Sequence, residues 1–204
     1  MSGGAGRISS GGAVKAPEET YDRRGFLGAA LKLIAREAGG LLAERVAPRR
    51  HFRPPGALPE PGFLAACTRC SFCIEACPVG AIVQAPPSAG LAAGTPIIDP
   101  AAQPCIACEG MFCATVCPTT ALVAPADGWA HEKIGELALD TVRCIAFQGI
   151  ECGVCVRACP VGPAAMELDA QGRPVILDGC VGCGVCVRAC VTSPSSLALT
   201  IGDH

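Results

Sequence analysis

Aromatic residues are scarce in this chain. Its 204 residues include one tryptophan, one tyrosine and six phenylalanines. Large side chains therefore cannot fill a core of the ordinary kind. Small and turn-forming residues are abundant instead, with 25 glycines and 18 prolines, and they favour a body in which loops dominate.

The chain also lacks the motifs of nucleotide-dependent and hydrolytic enzymes. No Walker or dinucleotide-binding motif occurs, and no pairing of a nucleophile with a base is evident. Residues 54–204 hold six Lys/Arg against thirteen Asp/Glu, a net charge of −7, whereas nucleic-acid binding calls for a basic surface. We therefore expect no catalytic centre of the chain's own and no nucleic-acid partner.

Cysteine is the residue that the chain has in quantity. Sixteen cysteines form four groups of four, tetrads 1 to 4, with none left over. Tetrads 1 and 4 have the spacing C-x2-C-x2-C-x3-C, tetrad 2 has C-x2-C-x4-C-x3-C, and tetrad 3 has C-x7-C-x2-C-x3-C. Proline follows the last cysteine of tetrads 1 to 3, and Val191 follows that of tetrad 4. The members are Cys67, Cys70, Cys73 and Cys77; Cys105, Cys108, Cys113 and Cys117; Cys144, Cys152, Cys155 and Cys159; and Cys180, Cys183, Cys186 and Cys190.

This spacing is that of bacterial ferredoxins, whose thiolates hold [4Fe–4S] clusters. Disulfide scaffolds need neither four such tetrads nor the recurring proline, and zinc sites use paired C-x2-C knuckles separated by longer gaps. We predict that all sixteen cysteines ligate the iron of four [4Fe–4S] clusters and that the protein transfers electrons. Buried clusters would replace the missing core side chains, so the apo chain should fold poorly.

The tetrads can share their clusters in two ways. In two-cluster ferredoxins the last cysteine of one tetrad ligates the cluster of the other tetrad. Sequential pairing joins tetrad 1 with 2 and tetrad 3 with 4, whereas nested pairing joins 1 with 4 and 2 with 3. The compact connection between tetrads 3 and 4 favours sequential pairing, and both remain open.

Short apolar runs flank the tetrads and are long enough only for strands. We predict an α+β fold of two ferredoxin-like 2[4Fe–4S] units, loop-rich, with short strands and helices around the clusters and an N-terminal amphipathic helix. A hairpin is predicted to turn at 170–172, and a linker helix around 131–137. The predicted strands are 81–83, 95–98, 121–123, 137–139, 165–168, 174–177 and 197–199.

Four side chains near the tetrads have open roles. We expect Arg69, Arg157 and Arg188 to be solvated; the alternatives are that they raise cluster potentials or contact a partner. Trp129 is either a docking residue or a cap over the linker helix.

The N-terminal part is basic, with ten Lys/Arg against five Asp/Glu in residues 1–53. Residues 1–20 are predicted to be disordered. The sequence RRGFL at 23–27 is typical of a twin-arginine export signal, which suits a protein that must cross the membrane already folded. The segment 29–47 carries charges, and its apolar residues recur at helical spacing, so it predicts an amphipathic helix rather than a clean signal.

Localisation and domain limits follow from these patterns. We predict a periplasmic protein; the alternative is the cytoplasmic face of the membrane, with an uncleaved helix and peripheral contact through residues 26–47. The predicted organisation is a head (1–53), a linker without regular structure (54–62) and a four-cluster domain (63–204). Residues 63–125 and 137–204 are its predicted halves.

The chain resembles the NapG/MauM group of four-cluster ferredoxin-type proteins over residues 21–204. The resemblance rests on the RRGFL head, on Arg53-Pro-Pro-Gly-Ala57, on Gly90-Leu-Ala-Ala-Gly-Thr-Pro96, on the wide first gap of tetrad 3 and on the missing proline of tetrad 4. Tetrad 2 is similar to one found in iron–sulfur subunits of molybdopterin oxidoreductases.

The resemblance implies a periplasmic electron-transfer subunit. Its partners would be a membrane-bound quinol-oxidising ferredoxin-type protein and a periplasmic reductase such as nitrate reductase, or the components of methylamine oxidation. Two alternatives are kept: an electron-wire subunit bound permanently to a molybdopterin-type oxidoreductase, and an assembly factor that binds a reductase during its maturation.

Overall fold

The computed structural model describes residues 51–202, all of which belong to one compact unit. The predictions of a disordered head, a twin-arginine motif and an amphipathic helix concern residues 1–50 and lie outside the described residues. Within 51–202, no helix is long and apolar enough to cross a membrane.

Every helix and strand of the described part is short. The α-helices are α1 (Glu60–Ala66), α2 (Phe72–Glu75), α3 (Phe112–Thr115), α4 (Val154–Ala158) and α5 (Val185–Ala189). Three 3-10 helices span Pro87–Ala92, Ile145–Gln148 and Gly162–Ala164. The strands are β1 (Ile82–Gln84), β2 (Pro96–Ile98), β3 (Glu136–Leu139), β4 (Met166–Leu168), β5 (Pro174–Ile176) and β6 (Leu197–Thr200).

The strands pair in antiparallel twos, β1 with β2, β3 with β6 and β4 with β5. β1 follows tetrad 1 and β2 precedes tetrad 2, with Ile82 opposite Ile98. β3 precedes tetrad 3 and β6 follows tetrad 4, with Leu137 opposite Leu199. β4 and β5 form the predicted hairpin between tetrads 3 and 4. The β1–β2 and β4–β5 pairs therefore connect consecutive tetrads, and the β3–β6 pair holds together the two ends of the chain that flank tetrads 3 and 4.

Two of the predicted elements differ from the structure. Residues 121–123 do not form a strand, because the pairing there is limited to an isolated bridge between Ala57 and Leu122. The linker helix predicted around 131–137 is also wrong, since β3 begins at Glu136. Its leucines recur with a period of two and face the leucines of β6, which is the pattern of a strand.

The stretch predicted as a structureless linker is also corrected. Phe52 forms a β-bridge with Ile98, Pro54 and Pro55 are fully buried, and α1 begins at Glu60 within that stretch. Proline at the second helical position is compatible with a helix start, because its missing N–H would have had no helical partner. This segment is part of the core around tetrads 1 and 2.

A buried ion pair fixes this segment. Arg53 is 1% exposed, and its guanidinium donates hydrogen bonds to both carboxylate oxygens of Glu60. It also donates to Thr95 Oγ1 at 2.8 Å and to the Pro96 carbonyl at 2.9 Å, and it lies 4.5 Å from the centre of the Phe63 ring. All sides of the charge are thus satisfied, as a buried ion must be.

Candidate iron–sulfur sites

The structure brings the sixteen predicted ligands together as four groups around four cavities. Each group holds three cysteines of one tetrad and the last cysteine of a neighbouring tetrad. We name the groups site A (Cys67, Cys70, Cys73, Cys117), site B (Cys105, Cys108, Cys113, Cys77), site C (Cys180, Cys183, Cys186, Cys159) and site D (Cys144, Cys152, Cys155, Cys190). This grouping is that of sequential pairing.

Short helices produce the exchange of cysteines between sites. Cys113 lies in α3 and faces site B, whereas Cys117 follows the end of α3 and lines site A. α2 does the same in the opposite direction with Cys73 and Cys77. Cysteines four residues apart lie on neighbouring turns, so one helix end can serve two cavities. α4 and α5 repeat the arrangement for sites C and D.

Sharp turns bring the loop backbone towards each site. The residue two positions before the third cysteine has a left-handed conformation in every tetrad, and it precedes the helix that carries that cysteine. These residues are Ser71 (φ +69°), Met111 (φ +38°), Gly153 (φ +74°) and Gly184 (φ +87°). Two of the four are not glycine, although L-residues pay about 1–2 kcal/mol for this conformation, so the sequence pattern alone does not reveal the shared turn.

Each cavity has space for more than a single ion. The volumes, including the mouth open to solvent, are about 390 Å³ at site A, 350 Å³ at site B, 330 Å³ at site C and 310 Å³ at site D. Among residues 51–202, no three His, Cys, Asp or Glu side chains converge on a position for one metal ion. Four thiols around an apolar cavity fit a [4Fe–4S] cluster, which is held by four cysteine thiolates.

The pKa values of the cysteine thiols indicate that the thiolates need a cationic group between them. Burial, with repulsion from neighbouring thiolates, raises the pKa of Cys73 to about 11 and the pKa of Cys113 and Cys186 to about 12. Ligation requires the thiolate. The positive charge of iron would offset both the burial and the mutual repulsion of the thiolates, so the sites are suited to a cluster rather than to free thiols.

Several cysteine sulfurs accept hydrogen bonds, among them three of the cysteines that cross between sites and Cys105, which accepts the Ala107 N–H at 3.4 Å. The Ala81 N–H donates to Cys77 Sγ at 3.3 Å, and the Leu122 N–H donates to Cys117 Sγ at 3.4 Å. Cys190 Sγ has hydroxyl neighbours instead, as described below. Burial raises the pKa of Cys190, but the Ser196 and Thr192 hydroxyls outweigh it, and the pKa falls to about 6.

The three arginines inside the tetrads bind the chain itself. Arg69 donates to the carbonyls of Ala93 and Leu91 at 2.9 and 3.0 Å, which holds the Gly90–Pro96 loop beside site A. Arg157 donates to the Cys152 carbonyl at 2.9 Å, and Arg188 to Gln103 at 2.7 Å. All three arginines are exposed, as expected of solvated side chains. Each guanidinium also donates to the chain beside the sites, which the sequence did not predict.

Trp129 also contacts a cysteine loop. Its indole N–H donates to the Cys108 carbonyl at 2.9 Å, and the ring packs against the core that contains Cys105 and Cys113. It therefore covers the loop of site B. The helix that it was expected to cap is absent, as described above.

Sites B and C are neighbours. Burial raises the pKa of Cys105 to about 12, and repulsion from Cys183 of site C contributes to this rise. Both cysteines belong to one core, with Ile134 and Val181, and the Ile134 N–H donates to the Val181 carbonyl at 2.8 Å. This shared core joins the tetrad 1–2 part to the tetrad 3–4 part.

Two family models match this chain, and both describe a 4Fe-4S dicluster domain. One covers residues 66–121 and the other residues 136–191. The matched ranges contain tetrads 1 and 2 and tetrads 3 and 4, respectively. The protein is therefore a double dicluster ferredoxin with short helices and strands, and it carries four [4Fe–4S] clusters.

Comparison with characterised proteins places the chain more narrowly among the dicluster ferredoxins. The chain is 39% identical over 132 residues to the methylamine utilization ferredoxin-type protein MauM of Paracoccus denitrificans, covering 63% of this chain and 59% of that protein. It is 38% identical over 152 residues to the ferredoxin-type protein NapG of Escherichia coli, covering 69% of this chain and 66% of that protein. With NapG of Haemophilus influenzae it shares 34% identity over 184 residues, covering 82% of this chain and 63% of that protein.

The chain belongs to the NapG/MauM group of ferredoxin-type proteins, and it is an electron-transfer protein of that kind. The matches span about three fifths to two thirds of the length of these relatives.

Proposed function

We propose that the protein conducts electrons along its four sites in the order A, B, C, D. Sites A and B share the cysteines of α2 and α3, and sites C and D share those of α4 and α5. The observation that carries the order is the single core that contains both Cys105 and Cys183, which supports a step from B to C. The spatial order then differs from the order of the tetrads, because tetrad 4 supplies most of site C and tetrad 3 most of site D.

A line of sites suits a relay between two partners. Electron transfer slows steeply with distance, so neighbouring clusters divide one long transfer into short ones. Sites A and D would form the two ends that exchange electrons with other proteins. Cys70 of site A is exposed, and Ile150 and Val191 are exposed beside the cysteines of site D, which is compatible with contact at both ends.

The proposed donor is a membrane-bound quinol-oxidising ferredoxin-type protein, and the proposed acceptor is a reductase. Similarity to MauM, a methylamine utilization protein, supports a place in methylamine oxidation, and similarity to NapG supports an electron-transfer role of the ferredoxin type. The alternative is a permanent electron-wire subunit of a molybdopterin-type oxidoreductase. If the protein co-purified with a large catalytic subunit in a fixed ratio, the permanent subunit would be favoured over the transient relay.

The relay is tested first on anaerobically purified full-length protein. We expect about sixteen irons per chain and interacting [4Fe–4S] signals in electron paramagnetic resonance (EPR) during a redox titration. Addition of a quinol analogue, menadiol, should reduce at least one cluster. Few irons, or midpoint potentials too low for any reduction by menadiol, would overturn the proposal of a quinol-fed relay.

The linear order is tested by removing one cluster at a time. Cys105→Ala should remove the cluster at site B, lower the iron content by about four, and magnetically isolate site A from sites C and D. Cys70→Ala is the matched control: it should remove the cluster at site A with the same iron loss and leave the coupling among B, C and D. Equal loss of coupling in the two variants would contradict the linear order.

We also propose export to the periplasm through the RRGFL sequence at 23–27. A route that carries folded proteins is compatible with cluster insertion before transport. The double change of Arg23 and Arg24 to lysine should move the protein from the periplasmic fraction to the cytoplasm without loss of iron. The same changes at Arg49 and Arg50 are the control and should not alter localisation. Equal periplasmic amounts in both double variants would argue for another route or another compartment.

A further inference from the structure

Cys190 of site D has hydroxyl groups around its sulfur. Thr192 Oγ1 lies 3.2 Å and Ser196 Oγ lies 3.3 Å from Cys190 Sγ. The Ser196 N–H donates to Thr192 Oγ1 at 2.8 Å, which uses an acceptor position of that hydroxyl and leaves its proton for the sulfur. Once Cys190 is a thiolate ligand its sulfur can only accept, so both hydroxyls must be the donors.

Hydrogen bonds hold the hydroxyl-bearing turn beside Cys190 in place, and Ser196 within it is buried. Ser196 is 3% exposed, and its carbonyl accepts the Asp140 N–H at 2.8 Å. Ser195 Oγ accepts the Leu197 N–H at 3.1 Å, at the start of β6. The hydroxyls are therefore held by a hydrogen-bonded turn that continues into a strand. A buried and oriented donor acts more strongly on a charge than a solvated one.

The other crossing cysteines differ in the kind of donor. Cys77 and Cys117 accept backbone N–H groups, which any residue would supply. Thr119 stands at the same distance in sequence from Cys117 as Thr192 does from Cys190, but its hydroxyl lies 3.8 Å from the sulfur. Cys190 thus has two hydroxyls at shorter distances, whereas Cys117 has one at a longer distance. Tetrad 4 also has Val191 where the other tetrads have proline.

Hydrogen bonds to cluster sulfurs raise the reduction potential, because they stabilise the more negative reduced form. We propose that the hydroxyls of Thr192 and Ser196 raise the reduction potential of the cluster at site D and so make it the electron-accepting end of the line of sites. The statement about the end of the line rests on the proposed function; the effect on the potential does not.

The test is a redox titration of full-length holoprotein with chemical mediators, followed by EPR. Thr192→Val and Ser196→Ala should each shift one of the four reduction waves to lower potential, and the double variant should shift it further. Iron content and the other three waves should not change. Thr192→Ser keeps the hydroxyl and should restore the potential of the unaltered protein. Thr119→Val, at the 3.8 Å position of site A, should have a smaller effect on its own wave.

The outcomes separate the inference from the proposed function. Unchanged waves at full iron content would overturn the inference, whether or not menadiol reduces the protein. A shift in one wave supports the role of the hydroxyls even if the relay test fails, since the mediators replace the partners. If both single variants lose the iron of site D, the hydroxyls hold the loop rather than tune the potential, and the proposal is wrong.

Discussion

At the scale of single residues, a buried ion pair packs beside the cysteine loops. Arg53 and Glu60 form an ion pair that is almost entirely buried, at 1% and 8% exposure. It connects the start of α1 to Thr95 and to the first residue of β2. Removing one charge from such a pair leaves the other uncompensated in an apolar environment, which is strongly destabilising.

Glu60→Gln should therefore destabilise the holoprotein by about 3 kcal/mol, although glutamine keeps an acceptor for Arg53. The measurement is the denaturant concentration at which the cluster absorbance is half lost. Asp140→Asn is the matched control, because Asp140 pairs with Arg143 at 3.6 Å on the surface and such pairs contribute at most about 1 kcal/mol. Similar midpoints for the two variants would show that the buried pair has no special role.

Gly182 lies where the loop of site C passes the backbone that precedes β3. A Cβ added there would be 1.9 Å from the Gly135 carbonyl oxygen, and φ is +65°. Gly182→Ala should thus reduce cluster occupancy at site C, lowering iron content by up to about four per chain. Gly149→Ala is the control, since Gly149 has φ +83° with open space around it; it should cost about 1–2 kcal/mol and keep its iron. Full iron in the Gly182 variant would mean that the loop can move away.

At the scale of elements, helices of four or five residues decide which cysteines share a site. α2 and α3 each place one cysteine in their own loop's site and the next cysteine in the other site. Helices this short are not stable by themselves. Their position depends on the left-handed turn before them and on ligation of the cysteines that they carry.

Pairs of cysteine variants test the sequential exchange. Cys67→Ala and Cys117→Ala, made singly or together, should each remove about four irons, because both residues line site A. Cys105→Ala combined with Cys117→Ala should remove about eight, because two clusters are lost. Nested pairing would place Cys67 and Cys117 in different sites and Cys67 with Cys190 in one. Cys67→Ala combined with Cys117→Ala would then remove about eight irons, and Cys67→Ala combined with Cys190→Ala about four, whereas sequential pairing predicts about four and about eight. Iron analysis of the anaerobically purified variants distinguishes the two.

At the scale of the whole molecule, the clusters stand in for a hydrophobic core. The described core contains cysteines beside a small number of large side chains such as Phe63, Met111 and Ile134. The strand pairs are two-stranded and separate, and isolated pairs of this kind are marginal in water. The folded state should therefore depend on its iron.

Removal of the clusters should unfold the body. Anaerobic treatment with an oxidant and a chelator is expected to abolish the near-ultraviolet circular dichroism and to expose all sixteen thiols to a thiol reagent, because the burial that raises the thiol pKa disappears. Rebuilding with iron and sulfide should restore both signals. A cluster-free protein that keeps its native dichroism and its protected thiols would show that the protein part alone stabilises the fold.

The cysteine spacing predicts much of the fold and of the site. The sixteen predicted ligands line the four cavities, six of the seven predicted strands occur, and the hairpin between tetrads 3 and 4 is present. These features are local: a tetrad specifies its loop, and a short apolar run between turns specifies a strand. The buried segment at 52–62 was missed, because an arginine among prolines has the composition of a linker and its partners Thr95 and Pro96 are far away in the chain.

What the sequence by itself decided is the kind of cofactor and its number, since thiol spacing and the count of cysteines are properties of the chain order. The tertiary structure alone decided which loops share a site, that Cys105 and Cys183 lie close together, and that two hydroxyls point at Cys190. The first two depend on residues that are far apart along the chain, and the third depends on the conformation of the turn from Cys190 to Ser196. These features arise when the loops pack around the sites. Packing and hydrogen bonding select one arrangement among the several that the same cysteine spacing allows.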